Sequence, residues 1–173
     1  MLGLKRGTVI LEAHRTEWER QAGETIRLLK RVLGEAAVDA QHVGSTAVPG
    51  LPAKPILDLA VGVRDYDAVL ALRRTLEENG VVFRFDERPT QLLFVMGDFA
   101  ADTRTHHIHV VLYRSEEWEN YLRFRDYLRE NADAAERYAA EKRRLAGKYP
   151  DDRNAYTEAK SAIVRALLEE AKR

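Results

Sequence analysis

The stretch from Ile56 to Val63 constrains the fold more than any other part of the sequence. Its odd-numbered positions are all leucine or valine, which would give a β-strand one fully apolar face. Its other face carries Asp58 among isoleucine, alanine and glycine, small neighbours that leave room for a ligand. Because an unpaired carboxylate in a buried strand is costly, we expect Asp58 to have a partner beside it.

The rest of the chain divides into helical and strand-like blocks. Residues 15–33 have apolar side chains at steps of three and four, which is typical of a helix. From Ser115 onward the pattern is helical again, with breaks near Asn131 and at 149–152. Between these blocks the sequence predicts one helix, at 67–79, and strands at 36–43, 56–63, 81–85, 92–96 and 105–112.

This order of elements predicts an α+β fold. We expect one domain over residues 1–173, in which residues 1–112 form a sheet-containing core and residues 113–173 form C-terminal helices.

Composition excludes several classes of function. The 28 basic and 28 acidic residues give a formal net charge of zero, whereas a dedicated nucleic-acid-binding protein carries a basic excess. A small phosphorylated ligand needs only two or three well-placed cations and is compatible with this charge. The absence of cysteine excludes disulfides, thiolate metal sites and cysteine nucleophiles.

The sequence also predicts the location of the protein. The first seven residues lack the apolar stretch of a signal peptide, and no run of about 18 apolar residues could cross a membrane. We therefore expect a cytoplasmic protein without a membrane partner. No feature of the sequence indicates an oligomeric state.

The densest chemical signal lies between His42 and Asp58. A pair such as Gly44-Ser45 after a strand exposes backbone N–H groups and a hydroxyl, which can bind a phosphate. An acid on the next strand can hold a metal ion that bridges to that phosphate. A plain turn, in which Asp58 caps backbone amides, explains the same residues, and both interpretations remain open on the local pattern.

A second signal is the segment from Thr105 to Val111, which contains three of the five histidines. On a strand, His107 and His109 project to one face, where two imidazoles suit a divalent metal ion or a triphosphate. An exposed edge strand with incidental histidines is the alternative.

The stretch from His42 to Leu59 resembles the signature of the GrpB family. Residues 107–110 resemble that family's His-Leu-His-Val strand, and residues 124–129 resemble its Phe-Arg-Asp-Tyr-Leu motif. Further matches are Tyr138 with Lys142, and Tyr156-Thr157 with Lys160. The resemblance covers residues 8 to 168. It implies a fold similar to the polymerase-β-like nucleotidyltransferases, with a mixed or antiparallel central sheet flanked by helices.

Enzymes of that fold place Gly-Ser before a strand with an acid-x-acid pair, and a third acid follows on a later strand. Their carboxylates bind two divalent ions that position a nucleoside triphosphate. Here Gly44-Ser45 matches the turn and Asp58 matches the first acid, but Ala60 stands at the second acid position. Two ions about 3.5–4 Å apart need bridging carboxylates, so this departure weakens the two-ion chemistry.

The resemblance and the strand faces together give a hypothesis for the site. Asp58, His107 and His109 would hold one divalent metal ion, magnesium, manganese or zinc, with His42 as a further candidate. Asp58 would be catalytic, and His42 or His109 would act as the general base. Candidate phosphate contacts are Gly44, Ser45, Thr46, Lys54, Arg125 and Lys160. A solvated surface cluster is the alternative for Arg125, because helix-borne charges usually form exposed pairs.

Three functions follow from these residues. The first is a metal-dependent nucleotidyltransferase that moves a nucleoside monophosphate from a nucleoside triphosphate to a small-molecule or protein acceptor. The second is a binding module for a nucleotide or a coenzyme A-related metabolite, because proteins resembling this family occur fused to dephospho-coenzyme A kinase. The third is a structural or interaction protein. Ala60 favours the second.

Overall fold

The computed structural model describes residues 2–173, which form seven strands and six α-helices. The strands, numbered along the chain, are β1 (Leu4–Lys5), β2 (Ala37–Val43), β3 (Leu57–Val63), β4 (Val82–Glu87), β5 (Gln91–Met96), β6 (Thr103–Arg104) and β7 (His106–Leu112). The helices are α1 (Glu17–Leu33), α2 (Tyr66–Ala71), α3 (Arg73–Glu78), α4 (Glu116–Glu130), α5 (Ala132–Lys148) and α6 (Arg153–Ala171). None of these helices is both long enough and apolar enough to cross a membrane.

Five strands form the central sheet in the order β2-β3-β7-β5-β4. β3 and β7 are parallel, and the other neighbouring strands are antiparallel, so the sheet is mixed. The predicted fold class, α+β with a mixed sheet flanked by helices and a helical C-terminal part, is confirmed. The parallel pair has a consequence for the site, because its register sets Asp58 opposite His107 and Ala60 opposite His109.

The apolar face of β3 packs against α1. Leu57, Leu59 and Val61 are fully buried, and α1 covers them with residues at the predicted helical spacing. The buried side chains of α1 are Trp18, Ala22, Thr25, Leu29 and Leu33. Each large apolar side chain buried here contributes about 1.5–3 kcal/mol, which makes this layer the main core of the sheet.

The opposite face of β3 is closed over most of its length by α4. Ala60 is fully buried and packs with Val43, Val111 and Trp118. A Cβ on Gly62 would lie only 3.0 Å from the Trp118 ring, so glycine is what allows α4 to approach this closely. The expectation that the small residues of this face leave room for a ligand is therefore wrong at positions 60 and 62. Trp118 fills that space.

The C-terminal helices begin at residues whose side chains cap their first turns. Ser115 Oγ accepts from the Trp118 N–H at 3.3 Å, and Asn131 Oδ1 accepts from the Ala134 N–H at 2.9 Å. Asp152 Oδ1 accepts from the Ala155 N–H at 3.0 Å in the same way. Such caps satisfy amides that the helix itself leaves free. The predicted breaks near Asn131 and at 149–152 are confirmed.

Two local features differ from the prediction. The helix expected at 67–79 is divided into α2 and α3, which meet at Leu72. The two-residue strands β1 and β6 pair with each other outside the central sheet and were not predicted. Between β2 and β3, residues 45–47 form a 3-10 turn.

Candidate active site

The carboxylate of Asp58 lies between two imidazoles on one face of the sheet. Its Oδ1 is 3.3 Å from His107 Nδ1 and 3.5 Å from His109 Nε2. The parallel pairing of β3 with β7 produces this geometry, because residues in register on adjacent strands project to the same face. The predicted convergence of these three side chains is found in the structure, and their catalytic and metal-binding roles stay predictions.

Gly44 holds the backbone of the turn against this carboxylate. Its φ is +69°, and a Cβ at this position would lie 2.7 Å from Asp58 Oδ2. Only glycine combines this dihedral with this close approach. The Gly-Ser turn therefore lies directly beside the acid, as the proposed phosphate cradle requires.

Asp58 remains ionised in this environment. Burial by itself would raise its pKa, but the hydrogen bonds from His107 and His109 outweigh burial and lower the pKa well below its usual range. Its side chain is 32% exposed and lines the pocket, so a ligand there can still reach the carboxylate. The group is a carboxylate rather than a proton donor.

A pocket of about 480 Å³ opens above this cluster. The turn and the acid form one side of it, and α4, α5 and α6 form the other. Besides the Asp58 cluster, its principal lining residues are Gly44, Ser45, Thr46, Lys54, Tyr121, Phe124, Tyr138, Lys142, Arg153, Tyr156 and Lys160. Pockets that bind small molecules have about 300–1,000 Å³, so this volume suits a single metabolite.

Three lysines line the pocket, Lys142 on α5, Lys160 on α6 and Lys54 on the loop before β3. Lys54 Nζ lies 5.2 Å and Lys160 Nζ 5.7 Å from the ring centre of Tyr156. Lys142 is 1% exposed, donates to the carbonyl of Pro52 and lies 4.6 Å from the ring centre of Tyr138. Within residues 2–173, no ion pair includes any of the three lysines.

Burial changes the protonation of two of these lysines, Lys54 and Lys142. Burial, and then the charge of Lys160, lowers the pKa of Lys54 to about 7 and that of Lys142 to about 6. A cation loses stability when it leaves water without an anionic partner. The pocket is therefore electrostatically incomplete, and a bound anion would complete it.

Two predicted site residues lie elsewhere. His42 does not line the pocket. Its Nε2 is 2.9 Å from Thr46 Oγ1, and burial lowers its pKa to about 4. A general base works best with a pKa near the working pH, so this environment does not suit His42 to that role. Thr46 lines the pocket, but it is 2% exposed and its hydroxyl is engaged with His42.

Arg125 is also outside the pocket lining. Its guanidinium bonds Asp126 Oδ1 at 2.7 Å, Gln41 Oε1 at 3.0 Å and the His42 carbonyl at 3.1 Å. Its side chain is 12% exposed, so it is not a solvated surface group. In this arrangement its donors tie α4 to β2 and none is directed at the pocket.

The motifs contain three pocket residues that were not among the predicted contacts, Tyr138, Lys142 and Tyr156, whereas Lys160 was predicted and does line the pocket. Tyr138 with Lys142, and Tyr156 with Lys160, are both spaced i, i+4, so each pair shares one face of its helix. That these two faces meet over Asp58 depends on how α5 and α6 pack. The i, i+4 spacing was the only sign in the sequence that these residues contribute to one site.

The residues present do not fit a pair of bridged divalent ions. A second carboxylate at position 60 would have to displace Trp118, since Ala60 is sealed beneath α4. Within residues 2–173 no group of three or more histidine or acidic side chains is placed to hold a metal ion. As placed, Asp58 Oδ1 is shared by the two imidazoles, so an ion would have to replace those contacts. The one-metal site of Asp58, His107 and His109 stays a prediction.

Comparison with known proteins places the chain in a family. The family model described as GrpB protein matches residues 8–170. The chain belongs to the GrpB family. The resemblance carried by the motifs from His42 to Lys160 is thereby confirmed.

Relatives of the family match nearly the whole chain. The glutamate-rich protein GrpB of Alkalihalophilus pseudofirmus is 36% identical over 173 residues, which cover 98% of this chain and 99% of that protein. The crystal structure of conserved protein GrpB from Enterococcus faecalis superposes with a TM-score of 0.86 at 32% identity, covering 94% of this chain and 96% of that one. The Cid1 poly(U) polymerase matches with a TM-score of 0.49 at 16% identity, over 86% of this chain and 49% of that one.

Proposed function

We propose that this GrpB-family protein binds a nucleoside triphosphate in the pocket beside Asp58. The observation that carries the proposal is the pairing of two features in one cavity. A Gly-Ser turn lies against an ionised acid on one side, and three lysines that pair with no carboxylate within residues 2–173 line the rest of the cavity, Lys142 and Lys160 on the helices and Lys54 on the loop before β3.

The phosphates of a nucleoside triphosphate would contact both the Gly-Ser turn and the lysines. The N–H groups and hydroxyl at Gly44 and Ser45 would donate to one phosphate, as turns of this kind do for anions. Lys54, at the edge of the pocket, would neutralise its charge, acting as a point charge that needs no fixed geometry. Tyr121 and Phe124 line the same cavity and supply the apolar surface on which a nucleoside can pack.

Nucleotidyl transfer is the second candidate, favoured by the position of Gly44 against Asp58. This is the arrangement that the family resemblance implies for the first acid of a nucleotidyltransferase. A divalent ion, where bound, would supply charge neutralisation at the reacting phosphate. The protein's own contribution would be to hold the phosphate at the turn and to keep Asp58 ionised. Ala60 argues for binding without transfer, because the second acid is missing.

A thermal-shift series separates these possibilities. ATP, CTP, GTP and coenzyme A are each added with and without magnesium or manganese. A ligand at 100 times its dissociation constant should stabilise the fold by about 2.7 kcal/mol. Stabilisation by a nucleotide without pyrophosphate release supports the binding function, and release of pyrophosphate with an acceptor supports transfer. If none of the triphosphates stabilises the protein, the proposal is wrong, and a shift with coenzyme A alone would redirect it to that metabolite class.

The metal hypothesis has its own test. Manganese or zinc is titrated by calorimetry into the wild type and into Asp58→Ala. Binding that is lost in the variant supports a site at Asp58, His107 and His109. Equal and negligible heats in both proteins would exclude it.

A further inference from the structure

Two buried polar groups of the helical wall lack the partners that their chemistry requires. Lys142 is 1% exposed, and the Pro52 carbonyl is the one hydrogen-bond acceptor that its ammonium meets in the described chain. Tyr156 is fully buried, and its hydroxyl has no hydrogen-bond partner at all among residues 2–173. Both side chains line the pocket.

Such groups are costly in a protein that binds nothing at this place. An ammonium has three donors, and burying one without an anion opposes folding. A buried hydroxyl without a partner loses its hydrogen bond to water and gains none in return. Lys142 of α5 and Tyr156 of α6 line the same cavity, so one bound acceptor could bond both the remaining ammonium donors and the hydroxyl.

We propose that Lys142, Lys160 and the Tyr156 hydroxyl form a subsite for a phosphate group, with Lys54 at its edge. The subsite lies on the helical wall, across the cavity from Asp58 and the Gly-Ser turn. This proposal rests on the proposed function at one point, which is that the phosphate is the terminal phosphate of a nucleoside triphosphate. A free polyphosphate has the same chemistry, and the two sources are distinguished below.

The composition of the subsite suits a phosphate rather than a carboxylate. Each lysine is a compact charge that can approach a different oxygen of a tetrahedral phosphate. The planar guanidinium of an arginine, in contrast, also matches the planar geometry of a carboxylate. The rings of Tyr138 and Tyr156 lie 4.6–5.7 Å from the ammonium groups, and Lys142 is buried while Lys54 and Lys160 are half-buried. Coulomb attraction is stronger in such an environment than at an exposed surface.

Calorimetry with two ligands, inorganic tripolyphosphate and ATP, tests the subsite. The variants are Lys142→Met and Tyr156→Phe, and the control is Lys148→Met, an exposed lysine on the same helix. Losing a hydrogen bond to a charged group should weaken binding about 10- to 100-fold in either variant. The control should bind both ligands as the wild type does.

Tyr156→Phe also distinguishes the loss of a ligand contact from the loss of the fold. It removes one oxygen that has no partner, so the ligand-free variant should melt at the same temperature as the wild type or higher. A lower affinity together with an undiminished melting temperature is the signature of a ligand contact. Substitution of a residue with only a packing role would lower both the affinity and the melting temperature, or neither of them.

The two ligands separate the subsite from the proposed function. Tripolyphosphate binding that depends on Lys142 and Tyr156, without any ATP binding, supports the subsite and overturns the nucleotide proposal. ATP binding that is equal in the wild type and both variants overturns the subsite and leaves the nucleotide proposal standing. If the wild type binds neither ligand, both are overturned.

Discussion

Gly44 shows how one residue can fix the geometry of a site. A Cβ there would meet Asp58 Oδ2 at 2.7 Å, while a Cβ on Gly50, which also has a positive φ of +77°, would meet no atom of residues 2–173 within 4 Å. The two glycines thus share a positive φ, which a side chain would make strained, but differ in their contacts. This difference allows strain and contact to be measured separately.

We expect Gly44→Ala to destabilise the fold more than Gly50→Ala. The control should lose about 1–2 kcal/mol from the left-handed dihedral alone. Gly44→Ala should lose roughly 1–3 kcal/mol more, because the new methyl group must displace the carboxylate or the turn. Urea unfolding of both variants measures the two losses. Equal losses would mean that the turn does not press against Asp58 as described.

Lys142 gives a prediction about pH. Burial, followed by the charges around it, lowers its folded-state pKa to about 6 from the ordinary 10.5. Between these values the unfolded chain binds more protons than the folded one, so the stability contributed at this position rises with pH. The charged groups that face it are Lys160, Lys54, Arg143 and Asp58.

The comparison of Lys142→Met with the wild type tests the sign of this effect. In ligand-free protein the variant should gain most over the wild type near pH 6, where the buried ammonium is still charged, and its advantage should shrink toward pH 9. Melting temperatures across this range measure the difference. A constant difference, like that expected for the exposed Lys148→Met control, would contradict the buried cation.

At the scale of elements, Arg125 joins α4 to β2. Its bonds to Gln41 Oε1 and the His42 carbonyl bridge residues more than 80 positions apart in the sequence. Removing them should destabilise the protein by about 1–3 kcal/mol and leave the affinity for the nucleotide unchanged. The phosphate contact suggested by the sequence motif would give the opposite result.

Arg125→Met and Arg123→Met, on the same helix, test this distinction. In the described part of the chain the Arg123 side chain bonds Asn120 of the same helix and no other group, so its loss should change stability by less than about 0.5 kcal/mol. Urea unfolding and ATP calorimetry on both variants give the two readouts. A large loss of affinity with native stability in Arg125→Met would restore the phosphate role.

Helices and strands with regularly spaced apolar residues could be predicted from the sequence. The way in which these elements pack against one another could not. The alternation of Leu57 to Val63 and the helical steps of residues 15–33 follow from local geometry. The sealing of Ala60 by Trp118, however, depends on where α4 packs, and small residues in a strand suit a covering helix as well as a ligand. β1 and β6 are two residues long, too short to show any alternation.

The site itself was predictable to the extent that its residues belong to strands. Asp58, His107 and His109 needed only a shared sheet and the right faces to converge. Lys142 and Tyr156 needed the packing of two helices against a loop, which no periodicity encodes. Arg125 was misleading because a motif arginine that holds two elements together resembles one that binds a ligand.

At the scale of the whole molecule, net charge and local charge differ. The chain has a formal charge of zero, yet Lys54, Lys142 and Lys160 meet in one cavity. Long-range attraction of an anion depends on net charge and is screened by salt, whereas contacts inside a pocket are screened much less. Affinity for a phosphorylated ligand should therefore come from the pocket alone.

This contrast predicts a weak dependence of ligand binding on salt. A protein that makes 6–10 exposed phosphate contacts loses about 10³–10⁵ in affinity between 50 and 200 mM salt. Here a small phosphorylated ligand should lose less than about tenfold over the same range, because few counterions are displaced and the lysines lie inside a pocket. Calorimetry with ATP measures this slope, and fluorescence anisotropy with a labelled single-stranded RNA provides the comparison. Steep salt dependence, or RNA binding tighter than ATP binding, would mean that an exposed surface rather than the enclosed lysines recognises phosphate.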